Sequence, residues 1–234
     1  MCGRFTLRAE LAAIADWFSI SQPAVAWTPR FNIAPTQSVL AIRYHENFQA
    51  RKLVPLRWGL IPFWAKDQSI GNRLINARAE TVAEKPSFRQ AFRRRRCVVA
   101  ADGYYEWCGT KQQKQPYLIE FSDHRIFGIA ALWESWKDET ETELETVTLI
   151  TTEANTQLQA VHDRMPVLLD AVDFPVWLGE AAASDRQMLE LLGPFAGQEF
   201  KIQPVSKWVN RPSNEGVQCL QPPADVPDAL PFTE

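Results

Sequence analysis

Three histidines and four cysteines are spread over 234 residues, too few and too scattered for most metal chemistry. Cys2, Cys97, Cys108 and Cys219 form no CxxC pair, and no histidine lies near any of them at ligand spacing. That pattern argues against a zinc site and calls for no cofactor or metal. Cys97, beside "VVA", reads as a small buried hydrophobe of a reducing compartment. Long apolar runs are also missing. The longest, "IFGIAALW" at 126–133, falls short of the roughly 18 residues a spanning helix needs. The first residues lack the apolar centre of a secretory signal. The expectation is a protein without membrane association, cytoplasmic in a bacterium (on the nucleoid when bound to DNA) or nuclear in a eukaryote. Neither an internal repeat nor a linker interrupts the chain.

What is present suits a packed domain. Hydrophobic residues make up 46% of the chain and nine of its residues are tryptophan, enough for a sizeable core. The expected organisation is one domain over 2–222 and a loose proline-rich tail over 223–234. The net charge of −3 conceals a division: residues 1–96 hold 16 Lys/Arg and 6 Asp/Glu, a balance of +10, and residues 97–234 balance at −13. The first part can present a basic face to a polyanion, unless folding interleaves the two halves into a mixed surface. The run "RRRR" at 93–96 reads mostly as a solvated helix end.

Periodicity predicts an amphipathic helix over 7–18, with Leu7, Leu11, Ile14, Ala15 and Phe18 on one face. "TPRFNIAPTQ" reads as an extended loop. "SVLAIRY" and "ARKLVPLRWGLI" read as strands around a hairpin at His45–Gln49. The passage "PFWAKDQSIGNRLINARAET" is long and irregular, as functional loops often are. Beyond it come a short helix over 87–94 and strands at "RCVVAAD", "YYEW", "PYLIEF", "RIFGIAALW" and "ETVTLIT". A helix over "EANTQLQAV", two helices in "FPVWLGE" and "SDRQMLELLG", and a late strand "EFKIQPV" complete the chain. The fold class expected is α+β, a curved, mainly antiparallel and barrel-like sheet with inserted and flanking helices.

The chemistry centres on "MCGRF". Removal of Met1 leaves Cys2 with an α-amine and a thiol two carbons apart. Such a pair condenses with an aldehyde to an imine, which the thiol closes to a five-membered thiazolidine. A terminal amine with pKa about 7.7–8.0 is partly neutral near pH 7. Retention of Met1, or plain burial of Cys2, would leave this reactivity unused. In "LINARAET", Asn76 and Arg78 share one side of an extended backbone, an amide for a carbonyl oxygen and a guanidinium for a phosphate. "DGYYEW" sets Glu106 among aromatics, which raises a carboxyl pKa and suits it to proton transfer. "AVHDRMP" sets His162 beside Asp163 and Arg164. Taken singly, Asn76 reads as a turn residue, Glu106 as a structural carboxylate and His162 as a satisfied histidine.

The segments "CGRF", "RFNIAPTQ", "RWGLIPFWA", "LINARAET", "CVVAADGYYEW", "TLITTEAN", "HDRMPVLL" and "VSKWVN" occur in an order that resembles the SOS-response-associated peptidase family, from Cys2 to about Pro222. The resemblance implies covalent capture of abasic sites in single-stranded DNA through a thiazolidine on the N-terminal cysteine, with Cys2, Asn76, Glu106 and His162 as the catalytic set. It also implies abasic-site lyase activity and removal of the first methionine by the chain itself. Arg4 and Arg78 are the phosphate contacts it supports most directly, with Arg164 beside them. Trp64 and Pro35 are candidates for an apolar wedge between bases. The expected partner is abasic single-stranded DNA and the expected state a monomer. Two other classes remain open. One is a thiol peptidase or amidase using Cys2 and His162; the other is a noncatalytic single-stranded DNA binder.

Overall fold

A computed structural model of the chain describes residues 2–21, 23–110, 113–197 and 199–224. Met1 and most of the expected tail, 225–234, lie outside the described residues. In chain order the strands and helices are β1 (Phe5–Leu7), α1 (Leu11–Trp17), β2 (Arg30–Ile33), β3 (Ser38–His45), β4 (Ala50–Trp58), β5 (Asn76–Arg78), α2 (Arg89–Arg94), β6 (Arg96–Ala101), β7 (Gly103–Gly109), β8 (Lys114–Phe121), β9 (Phe127–Lys137), β10 (Glu143–Glu153), β11 (Arg164–Pro166), β12 (Leu168–Leu169), α3 (Phe174–Leu178), α4 (Asp185–Glu190) and β13 (Phe200–Pro204). Among the described residues no helix is long and apolar enough to cross a membrane.

The strands form a single α+β domain around a barrel. β10 pairs with β4, β4 with β3, β3 with β6, β6 with β9, and β9 with β10 again, so five strands close on themselves. All of these pairings are antiparallel except β10 with β4. Burial is nearly continuous along β6 and through the middles of β9 and β10 instead of alternating, because the barrel interior covers one face and packed neighbours the other. A second, wholly antiparallel sheet runs β13-β8-β7-β1-β2. One strand turns the chain from one sheet to the other: β6 ends at Ala101, and β7 starts two residues later in the second sheet. The corner is fastened by Asp102, which is buried, accepts from Thr6 Oγ1 at 2.6 Å and Ala9 N at 3.1 Å, and pairs with Arg8 at 3.0 Å.

Three expectations are corrected here. The helix placed over 7–18 spans only Leu11–Trp17; Leu7 ends β1, where it pairs with Arg30. Helical spacing of apolar residues did not register the bond network that draws Arg8 and Ala9 onto Asp102. The stretch read as an extended loop contains β2. The helix expected over 153–161 is a succession of turns. There the Asn155 side chain accepts from Leu158 N at 3.1 Å and donates to the carbonyls of Phe195 and Gly197, the competition with helix geometry that asparagine offers. By contrast, α3 ends at Gly179 with φ +85, and α4 begins on a Ser184/Gln187 capping box, both as those residues predict.

The irregular passage after β4 is pinned from several sides. Gly59 N donates to Val147 O at 2.8 Å, Leu60 N to Leu74 O at 3.1 Å, and the indole of buried Trp58 to Ile75 O at 2.8 Å. Two glycines let the passage fold back on itself: a Cβ on Gly71 would stand 2.7 Å from Gly59 O, and one on Gly59 2.6 Å from Gly71 O. Gly71→Ala therefore forces two backbones apart just upstream of β5. The expected loss is about 1–3 kcal/mol, as for an overpacked site. Urea unfolding checks it, and an unchanged midpoint would mean that the passage yields freely.

Candidate functional site

Cys2 lies just ahead of β1 and is fully buried. The antiparallel register that pairs Phe5 with Tyr104 continues through a bond from Tyr105 N to Arg4 O at 2.9 Å, which brings the start of the chain alongside β7. Burial, with the charge of Glu106 second, pushes the Cys2 thiol up to about 12, so it is held protonated near neutrality. Its Sγ points weakly to Arg4 O at 3.9 Å.

Asn76 opens β5, which lies parallel to β10 with Asn76 opposite Leu149. Its Nδ2 donates to Cys2 O at 2.7 Å. Its Oδ1 is buried and accepts no hydrogen bond among the described residues. Ile75 O, one residue earlier, accepts from both Trp58 Nε1 and Leu149 N, so the strand carrying Asn76 has little freedom.

Glu106 is 4% exposed on β7 and shares a strand face with Tyr104, as period-two alternation requires. Desolvation raises its carboxyl, and the charge of His162 draws it partly back. Tyr104 is buried, its hydroxyl has no hydrogen-bond partner among the described residues, and burial together with the charges of Cys2 and Glu106 raises it well above the ordinary phenol. The alternation in "YYEW" was the signal that set Tyr104 beside Glu106.

His162 closes the turns before β11, its N donating to Leu158 O at 3.0 Å. The Nδ1 atom has two neighbours that ask for opposite states. Arg164 N donates to it at 2.9 Å, which requires a neutral ring, and Asp163 Oδ1 lies 2.8 Å away, which suits a protonated one. The backbone donor is fixed by β11, whereas the Asp163 side chain is 85% exposed. Arg164 N is thus placed to hold the neutral ring and Asp163 to stabilise the charged one.

The expected DNA contacts divide. Arg78 is exposed on β5 and its side chain makes no hydrogen bond or ion pair among the described residues. Trp64 is 50% exposed, beside Phe63 at 54%. Pro35 is half-buried in a turn held to Trp58 by Thr36 N to Trp58 O at 2.8 Å and Trp58 N to Gln37 O at 2.9 Å. Arg4 departs from the expected groove surface: it is buried, and its Nη1 donates to Asn32 Oδ1 at 2.7 Å and Val209 O at 2.6 Å. Arg164 is likewise engaged, donating to Glu80 at 2.6 and 3.0 Å and to Thr151 O at 2.6 Å. This pairing holds the Glu80 carboxyl below its ordinary range. Nothing in the sequence marked Glu80 as that partner, 84 residues away. Among the described residues no group of three His, Cys, Asp or Glu side chains is arranged to hold a metal ion.

A family model described as SOS response associated peptidase (SRAP) matches residues 1–212. The chain belongs to that family. It is 40% identical over 223 residues to the Bacillus subtilis protein named abasic site processing protein YoaM, covering 94% of this chain and 97% of that one. It is 31% identical to the rat abasic site processing protein HMCES, across 84% of this chain and 65% of the rat protein. A crystal structure of a Bacteroides thetaiotaomicron protein superposes with a TM-score of 0.84 at 26% identity, covering 94% of this chain and 99% of the other. A Bordetella bronchiseptica protein, at TM-score 0.75 and 21% identity, covering 88% of this chain and 100% of the other, shares the fold.

In this SRAP chain the buried carboxylate has a testable cost. A carboxyl raised on folding stabilises below the unfolded carboxylate range, and that contribution is lost as pH rises through the folded value. Glu106→Gln has no such loss. The variant is expected to melt close to the parent near about pH 4 and a few degrees above it near about pH 8. A variant that melts below the parent at neutral pH would mean that the partners of Glu106 outweigh its desolvation.

Proposed function

We propose that this protein captures abasic sites in single-stranded DNA by forming a thiazolidine on Cys2. The reading rests above all on the 2.7 Å bond that holds the Cys2 carbonyl to Asn76, within electrostatic reach of a desolvated Glu106 that in turn feels His162. The names of relatives such as YoaM and HMCES support the substrate class.

Hydrolysis of the Met1–Cys2 bond, by the chain itself or by a processing enzyme, frees the α-amine. The amine adds to C1′ of the ring-opened sugar, and the carbinolamine loses water to an imine. Sγ then bonds to the same carbon while the thiol proton passes to the imine nitrogen, so capture releases one water in all. Glu106 relays that proton, a task suited to a carboxyl raised toward neutrality. His162 exchanges protons with the sugar oxygen, its charged form steadied by Asp163. Asn76 keeps residue 2 still through Nδ2 and offers its buried Oδ1 to the amine or a sugar hydroxyl. Orientation of this kind lowers the barrier by several kcal/mol. Where the thiol is missing, the imine has β-elimination of the 3′ phosphate as its exit, which is the lyase outcome.

Arg78 meets a phosphate beside the lesion, and Trp64 with Pro35 forms the apolar wedge. Arg4 and Arg164 serve from inside, one fastening the start of the chain to Asn32 and Val209, the other bracing β11 and β10 against Glu80. A thiol peptidase would need a ready thiolate, and burial that pushes the Cys2 thiol to about 12 opposes that use.

Intact mass spectrometry after mixing with an abasic oligonucleotide is expected to show one adduct on residue 2, equal to both masses less one water. Cys2→Ala leaves no stable adduct. A parent protein without an adduct, or with one elsewhere, ends the proposal. In binding titrations Arg78→Ala is expected to reduce the salt slope by roughly 0.7, the share of one single-strand phosphate; an unchanged slope removes Arg78 from the interface.

A further inference from the structure

The four arginines at the end of α2 meet different fates. Arg95 donates to Glu134 at 2.8 Å beside Trp133. Arg96 joins two helix ends, donating through Nε to Trp177 O at 2.6 Å and through Nη1 to Phe92 O and Arg93 O at 2.9 and 3.0 Å. Arg93 and Arg94 are exposed, and neither side chain makes a hydrogen bond or ion pair among the described residues. A solvated helix end describes those two alone.

Arg93, Arg94 and Arg96, with Arg43 from β3, line a cavity of about 550 Å³ that also touches Trp133 and Gly179. Glu46 is the one acid among its lining residues. Arg43 is held in place by stacking 4.2 Å over Trp133 and by a two-pronged pair with Glu145 at 2.6 and 2.8 Å. Gly179, at φ +85, borders Arg96 Nη2, 3.4 Å from where a Cβ would stand. Of the four guanidiniums, Arg43 is paired with Glu145 and Arg96 lies in the field of Asp185, which leaves Arg93 and Arg94 to face Glu46 and the roughly half negative charge of the helix end. Guanidinium forks match phosphate oxygens, and those of Arg93 and Arg94 are unengaged among the described residues.

We propose that this cavity is a second anion site, for the phosphate of a nucleic-acid strand or of a free nucleotide. It lies apart from Cys2. β6 starts at Arg96 and runs roughly 16 Å at about 3.3 Å per residue to the corner from which β7 leads to Glu106. The site is independent of the Cys2 chemistry, so its test is made in a Cys2→Ala background, where no covalent adduct contributes.

Two probes distinguish the sources: a labelled oligothymidine without abasic sites, followed by anisotropy across a salt series, and ATP, followed by calorimetry. Arg93→Gln/Arg94→Gln is compared with the Cys2→Ala parent, and thermal melting confirms that both are folded. If the occupant is a strand, the double substitution lowers the salt slope by roughly 1.4, two single-strand phosphates at about 0.7 each. If it is a nucleotide, ATP binds the parent and is weakened roughly tenfold by the substitutions. Equal binding of both probes by parent and variant, or no binding of either, overturns the proposal.

Discussion

The site is assembled around one buried indole. Trp58 is fully buried at the end of β4, its Nε1 donates to Ile75 O, and its ring lies 5.2 Å from that of Phe5. Its backbone holds the turn that carries Pro35. Three segments far apart in sequence, those bearing Cys2, Pro35 and Asn76, are therefore each in contact with a single residue, beside their own strand pairings. A small displacement there would be felt at all three, because a close-packed interior transmits strain.

Around that anchor the protein keeps polar groups where they are costly. Glu106 is desolvated, the Cys2 thiol is held protonated, and Asn76 Oδ1 and Tyr104 Oη are buried without hydrogen-bond partners among the described residues. Burying such groups opposes folding. The closed barrel of β3, β4, β6, β9 and β10 supplies the apolar burial that offsets it. Such unpartnered buried polar groups are rare in folded proteins, and Asn76 Oδ1 and Tyr104 Oη lie beside Cys2. After burial, the charge of Glu106 is the second cause that raises the thiol.

The charge division between the chain's two parts illustrates how averages mislead. The basic first part does not form one uniform face: Arg4, Arg8, Arg51 and Arg95 are each engaged with interior carbonyls or acids. Arg78 and the Arg93–Arg94 pair are exposed on different elements. Counting residues reveals a surplus of cations, but the acid each one meets depends on strand pairing.

Most strands were legible in the order of residues alone, and the family resemblance named the candidate site residues. Alternation and β-branched runs mark β3, β4, β6 and β8 to β10, "FPVWLGE" and "SDRQMLELLG" read as α3 and α4, and the resemblance points to Cys2, Asn76, Glu106 and His162. These are local signals, set by side-chain period and turn chemistry within a few residues. The shortened first helix, the turns at 153–162 and the inward course of Arg4 and Arg164 depend on Asp102, on Phe195 and Gly197, and on Asn32 and Glu80. Those partners lie 28 to 93 residues away along the chain. Only the tertiary fold brings them within hydrogen-bond range, so no local pattern could announce them.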